Sequence, residues 1–317
     1  MQWLWFVLFA PTLLAAVTPA PTPSAGYLFA HMTKSDYGRL YYSVSTNGLH
    51  WRWLNRERRV AEDYRGHPDL CKGHDGRFYL IGNRNRNTDL VLWTSADLVR
   101  WERMREYAPD VANAVDFKSS LAYHGAPKIY FDETTRQYVI TWHTPTLPGD
   151  PKDPEAHWRS MRTLFVTSKD LFTFSQPRRL FAFDRATIDV LVRREGDRCY
   201  AVLKDELWPT FAWPTGKSIR VAAADKLTGP YPEPGPRLTP NFREAPTVIP
   251  RLDGQGWYLY CEQYPGVSYS LSTAPKLDGP WYDVYCQDYS VPEGARHGSM
   301  IPLTRAELGG VVKAFDQ

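Results

Sequence analysis

Five short segments of this chain each open an apolar run with residues able to move protons or bind polar groups. They are His67-Pro68-Asp69, Ala126-Pro127-Lys128, Ile188-Asp189, Arg243-Glu244-Ala245-Pro246 and Arg296-His297-Gly298. Asp189 and Glu244 are the pair with the clearest chemistry. A carboxyl beside another carboxylate holds its proton longer, which is what a general acid near neutral pH requires. His67 and Asp69 add an imidazole and a carboxyl to these segments. A neutral imidazole titrates near the physiological range, and residues two apart on a strand share a facing, so Asp69 is expected on the same side as His67. A lone polar residue at a strand start also caps turns or binds water, so it is the recurrence that gives these segments weight.

The recurrence extends to the elements that hold them. One phrase repeats: an opening apolar strand, a turn with Asp-Gly or a relative, an aromatic-rich strand, then Ser-x-Asp/Asn-Leu/Gly. Copies are GHPDLCKGHDGRFYLIGN with LVLWTSADLVRW, GAPKIYFDETTRQYVITWH with TLFVTSKDLFTF, TIDVLVRREGDRCYAVLKDE with SIRVAAADKLTGPY, and REAPTVIPRLDGQGWYLYCEQY with VSYSLSTAPKLDGPW. The N-terminal stretch from GYLFAHMT to RLYYSVSTNGLHWRWL has the later strands without an opening one, and ARHGSMIPLT near the C-terminus supplies it. The spacing predicts an all-β, five-bladed β-propeller over residues 26–317, a single domain whose first blade is closed by the C-terminal strand. Almost nothing has helical periodicity. In this architecture the opening strands line a central channel, where Asp189 and Glu244, at matching repeat positions, would meet. The inserts LPGDPKDPEAHWRSM and LWPTFAWPTGK overhang one mouth of it.

With Asp189 in TIDV and Glu244 in REAP, the ordered motifs resemble the family 43 glycoside hydrolases and their arabinofuranosidase- and xylosidase-like relatives. Blades of that family open with Asp-Pro, Trp-Ala-Pro, Ile-Asp and Glu-Gly-Pro. The resemblance covers the chain beyond its N-terminal segment and implies inverting hydrolysis of a glycoside, with Glu244 as general acid and Asp189 as the modulator of its pKa. At the base position the family has Asp before Pro and this chain has His67. Three readings stay open there: Asp69 as a displaced base, His67 itself, or a secreted glycan-binding propeller without turnover. His297, in RHGSM, resembles the channel histidine through which relatives hold calcium or another ion via water, although the implied reaction requires no cofactor. Lys128, Glu206 and Arg243 near the same mouth, and Trp142, His143 and Arg162 on or beside the inserts, are candidates for binding an oligo- or polysaccharide, an acidic sugar such as a uronide included.

Charge excludes other partners. The net charge of +3 is spread along 317 residues with no basic arm, which argues against nucleic acid. With 12 Trp and 19 Tyr, the chain has rings to stack, on sugar faces or between sheets. The apolar run Trp3 to Val17, followed by the Thr/Pro/Ala-rich stretch to Ala25, reads as a signal peptide and linker over residues 1–25. A secreted protein with no membrane attachment after cleavage is expected; the lack of Lys or Arg before the run leaves an uncleaved anchor as the alternative. Cys71, Cys199, Cys261 and Cys286 are widely spaced and read as buried free thiols.

Overall fold

The computed structural model describes residues 23–316, apart from positions 56, 57, 115, 118, 151 and 267. The predicted leader lies almost wholly outside the described residues, among which no helix is long and apolar enough to cross a membrane. Strands form where aromatic and β-branched residues run between turn clusters. The first sheet holds β1 (Ser24–Thr33), β2 (Tyr41–Ser45) and β3 (Arg52–Trp53), and the second β4 (Asp69–Lys72), β5 (Phe78–Asn83), β6 (Leu90–Ser95) and β7 (Glu102–Tyr107). The third holds β8 (Gly125–Asp132), β9 (Gln137–Pro145), β10 (Met161–Ser168) and β11 (Arg178–Arg179), with α1 (Pro154–Arg159) between β9 and β10. The fourth holds β12 (Thr187–Glu195), β13 (Arg198–Asp205) and β14 (Ser218–Ala224), and the fifth β15 (Arg243–Pro250), β16 (Trp257–Gln263), β17 (Ser268–Ala274) and β18 (Tyr282–Asp283). The last strand, β19 (Ala295–Thr304), pairs antiparallel with β1 and completes the first sheet. The ring is a five-bladed β-propeller closed where the sequence lacked an opening strand, which removes a free edge.

Apolar layers between adjacent sheets form the core. Leu28, Tyr42, Leu80 and Trp93 pack between the first and second sheets, and Ile81, Leu92, Ile140 and Trp142 between the second and third. Each such side chain stabilises the fold by roughly 1.5–3 kcal/mol relative to exposure. The recurring Ser-x-Asn/Asp phrase is a turn. Oγ of Ser45, Ser95 and Ser168 accepts the amide three residues on, at 2.9, 2.9 and 2.8 Å. The turn needs a left-handed residue, φ 74° at Gly48, 65° at Leu98 and 61° at Leu171, and burial of the two leucines offsets their strain.

The inner strands carry a repeated irregularity. Pairing skips Ala126-Pro127, Asp189-Val190 and Ala245-Pro246 in β8, β12 and β15, and Ala126, Asp189 and Ala245 have φ of 40°, 52° and 48°. Such bulges break the two-residue alternation and re-aim a side chain. Further along, one polar side chain tethers the next strand of the ring: Asp69 Oδ2 accepts the Ile129 amide at 2.7 Å, Ser299 Oγ that of Leu70 at 3.1 Å, and Thr247 Oγ1 that of Met300 at 3.2 Å.

Two expectations change. The chain ends in a helix, α2 (Arg305–Phe315), that strand-like patterning did not suggest. Its start is a capping box in which Thr304 accepts the Glu307 amide and Glu307 accepts the Thr304 amide, a signature present in T-R-A-E. Of the free cysteines, Cys71, Cys199 and Cys261 are buried, whereas Cys286 is exposed.

Candidate active site

The starts of the five inner strands converge on one mouth, around a cavity of about 500 Å³ that His67, Ala126, Asp189, Glu244 and His297 line. Tyr37, Tyr123, His143 and Trp158 of the α1 insert add its aromatic walls. Both oxygens of Glu244 are engaged: Oε2 accepts from Lys204 Nζ at 3.0 Å and Oε1 from Arg296 at 3.3 Å. His297 Nε2 stands 3.6 Å from the same Oε1. Lys204 is itself buried. Burial would discharge it, but Glu206, at 3.1 Å, and Glu244 outweigh that and keep its ammonium charged.

Asp189 Oδ2 accepts the Ala245 amide at 3.0 Å and lies 4.0 Å from His297 Nε2. Burial works to raise its pKa, yet the net shift is downward. His297 is the largest opposing influence, followed by His143, Lys204 and His67. Nδ1 of His297 donates to Glu262 Oε2 at 2.7 Å, and that bond overcomes burial and raises the imidazole's pKa. His67 behaves oppositely. Burial first, then the charge of His297, hold it well below the usual histidine range, so its ring is neutral. His67 Nε2 bonds Tyr37 Oη at 2.9 Å, and Nδ1 has no partner.

A family model described as "Probable glycosyl hydrolase domain", of the family 43-related glycosyl hydrolases, matches residues 22–309. The chain belongs to this family. Solved structures share its fold. An α-L-arabinofuranosidase from Lactobacillus brevis is 14% identical over 69% of this chain and 72% of its own, with a TM-score of 0.53. A thermostable family-43 glycoside hydrolase is 19% identical over 70% and 72%, with a TM-score of 0.52. An exo-β-1,3-galactanase from Clostridium thermocellum is 16% identical over 70% of this chain and 49% of its own, with a TM-score of 0.51. The chain thus spans about half the length of that galactanase. No curated protein sequence matches.

For this family 43-related glycoside hydrolase, the structure sorts the residues singled out in the sequence. His67, His143, Asp189, Glu244 and His297 share the cavity. The matching of Asp189 with Glu244 is corrected by one residue: the bulges align Asp189 with Ala245 and Glu244 with Ile188, so the two acids reach the mouth from successive positions. Asp69 does not line the cavity. It is buried on the Ile129 amide, with Lys128 Nζ 3.9 Å from its other oxygen. The expected shared facing fails because β4 begins at Asp69, which leaves His67 outside the pleat. Lys128 is spent on Asp69 and is likewise absent from the walls.

Trp142 is a core residue, its Nε1 bonded to Thr144 Oγ1 at 2.9 Å. Arg162 holds Asp184 at 2.7 Å, and Arg243 holds Ser270 at 3.2 Å. Glu206 acts behind the wall, on Lys204 and Lys217. Glu262 went unnoticed in sequence. Its signal was an acid within the apolar strand YLYCEQY, where a buried charge demands partners.

Direct ligation of calcium at His297 does not suit this donor set. Among the described residues, the groups close enough to share an ion are His67, Asp189 and His297, or Glu244, Glu262 and His297. Calcium takes roughly six to eight oxygens. The first set is two-thirds nitrogen, and Glu262 in the second is already spent on His297 and Arg296.

Proposed function

We propose that the chain hydrolyses a glycosidic bond with inversion, Glu244 protonating the leaving oxygen and His67 taking a proton from the attacking water. The observation that carries this is that His67, Asp189 and Glu244, from three different blades, line one cavity. As the water oxygen bonds to the anomeric carbon, the bond to the leaving oxygen breaks. The Glu244 proton goes to the leaving group, and His67 receives the water proton. Asp189 holds the Ala245 amide, which orients the peptide bearing Glu244, and its charge stands beside the acid. Asp69, tied to Ile129 and Lys128, has no access to such a water. Arabinofuranosides, xylosides and uronides are the substrate classes under this reading, and export through the N-terminal apolar segment belongs to it.

A second reading, a sugar-binding propeller without turnover, is favoured by one observation: both oxygens of Glu244 are already engaged by Lys204 and Arg296. A panel of aryl glycosides, with product anomers followed by NMR, separates the two. Hydrolysis with inversion, lost in His67→Ala and recovered in Glu244→Gln when the leaving group is a good one, supports the enzyme. Glycan binding with no turnover on any substrate supports the binding module.

A further inference from the structure

The cavity is electrostatically lopsided. The blade built from β4 to β7 presents Arg65, Arg84 and Arg86 to it. The Arg65 carbonyl accepts the Asn83 amide at 2.8 Å, which sets Arg65 beside the loop 84–87. Gly66 permits this approach: its φ is 120°, and a Cβ there would stand 2.7 Å from the Asn83 nitrogen. Arg84 is paired with Glu106 at 3.2 Å and Asp89 at 3.6 Å. Arg65 and Arg86 form no ion pair with any described residue and are exposed at the rim. Arg86 and Asn87 both hold left-handed backbone, φ 62° and 58°, a strained conformation for two successive residues with side chains.

These cations are not there to balance the site's own acids. Glu244 already has Lys204 and Arg296, Asp189 has His297 and the Ala245 amide, and Glu262 has Arg296 and His297. Two unpaired guanidinium groups on a concave wall concentrate positive potential where a ligand enters. A guanidinium grips a planar or tetrahedral oxyanion with paired N–H bonds, geometry that a neutral hydroxyl does not reward.

We propose that the sugar taken by this cavity carries an oxyanion, a uronate carboxylate or a sulfate ester, and that Arg65 and Arg86 bind it. This rests on the glycoside reading only in calling the ligand a sugar. The test is calorimetric binding to the full chain carrying Glu244→Gln, with oligogalacturonate, a sulfated galacto-oligosaccharide and a neutral galacto-oligosaccharide as probes. One anionic probe is expected to bind at least about tenfold tighter than the neutral one, and which of the two does so identifies the source of the charge. That advantage shrinks as salt is raised, and Arg65→Gln and Arg86→Gln each reduce it several-fold while melting as the parent does. Equal or absent binding of both anionic probes, or a preference that survives both substitutions, overturns the proposal. Turnover by the wild type is scored separately, so failure of hydrolysis leaves the binding result standing.

Discussion

The two mouths of the channel are built from the same five strands and differ in almost everything else. One encloses about 500 Å³ among His67, His143, Asp189, Glu244 and His297. The other encloses about 550 Å³ among Leu70, Ile129, Phe131, Ile249, Met300 and Pro302. Of its cations, Arg194 is held by both oxygens of Asp132 at 2.9 and 2.8 Å and Lys72 by Glu307. Size therefore does not distinguish the two ends; the placement of ionisable groups does. At the polar mouth the strands begin, and bulges at Ala126, Asp189 and Ala245 release side chains from the pleat. At the apolar mouth β4, β8, β12 and β15 pair without a shift, and the same strands give their side chains to packing.

Substitutions at each level of the channel test that contrast. The largest effect is expected at the polar mouth. Glu244→Gln should lower kcat by about 10²–10⁴-fold for substrates with poor leaving groups, with little change in Tm. Unchanged kcat for those substrates would remove Glu244 from the chemistry. Midway along the channel the order reverses. Asp69→Ala strands Lys128 and the Ile129 amide in a buried site, so denaturant unfolding should show a loss of about 3–5 kcal/mol, while the folded fraction keeps its specific activity. A stable but inactive Asp69→Ala protein would return Asp69 to the role of base.

The next effect contrasts His143 in the cavity with His31, buried between β1 and β2 on Ser43 and Met32. Burial pushes both imidazoles down to about 4. Unfolded histidine titrates near 6.5, so between about 6.5 and about 4 the unfolded chain binds more protons than the folded one. Stability is therefore present above that window and falls as pH drops through it, by up to about 1.4 kcal/mol per pH unit for each ring. Tm against pH should show this decline, shallower in His31→Gln; a flat profile would mean that these rings titrate in the fold as they do in the unfolded chain. His297 has the opposite sign. Its raised value gives a contribution that is complete below the unfolded pKa and lost as pH rises through the folded one. The smallest effect belongs to the apolar mouth, where Ile249→Val should cost about 0.5–1.5 kcal/mol and leave kcat unchanged. A loss of activity there would show that the two ends are coupled.

The chain alone determined the blades, their number, the closing role of ARHGSMIPLT and the identity of Asp189 and Glu244 as neighbours at a mouth. These are readable because a repeat writes the same local instructions several times: turn residues at set offsets, with aromatic and β-branched runs between them. Tertiary structure alone decided which polar residues face the cavity. His67 and Asp69 look interchangeable at a spacing of two, but one lies ahead of the strand and the other is its first paired residue. Trp142 and Lys128 resemble binding residues until their neighbours are known, and both are taken up by packing or an ion pair. Glu262, Arg296 and Lys204 gain their roles only through contacts with residues far away in sequence, such as Lys204 with Glu244. A side chain's facing follows from backbone register, which bulges shift by a residue, and its charge state follows from burial and distant partners. Neither quantity is local, so neither is written in any single stretch of the chain.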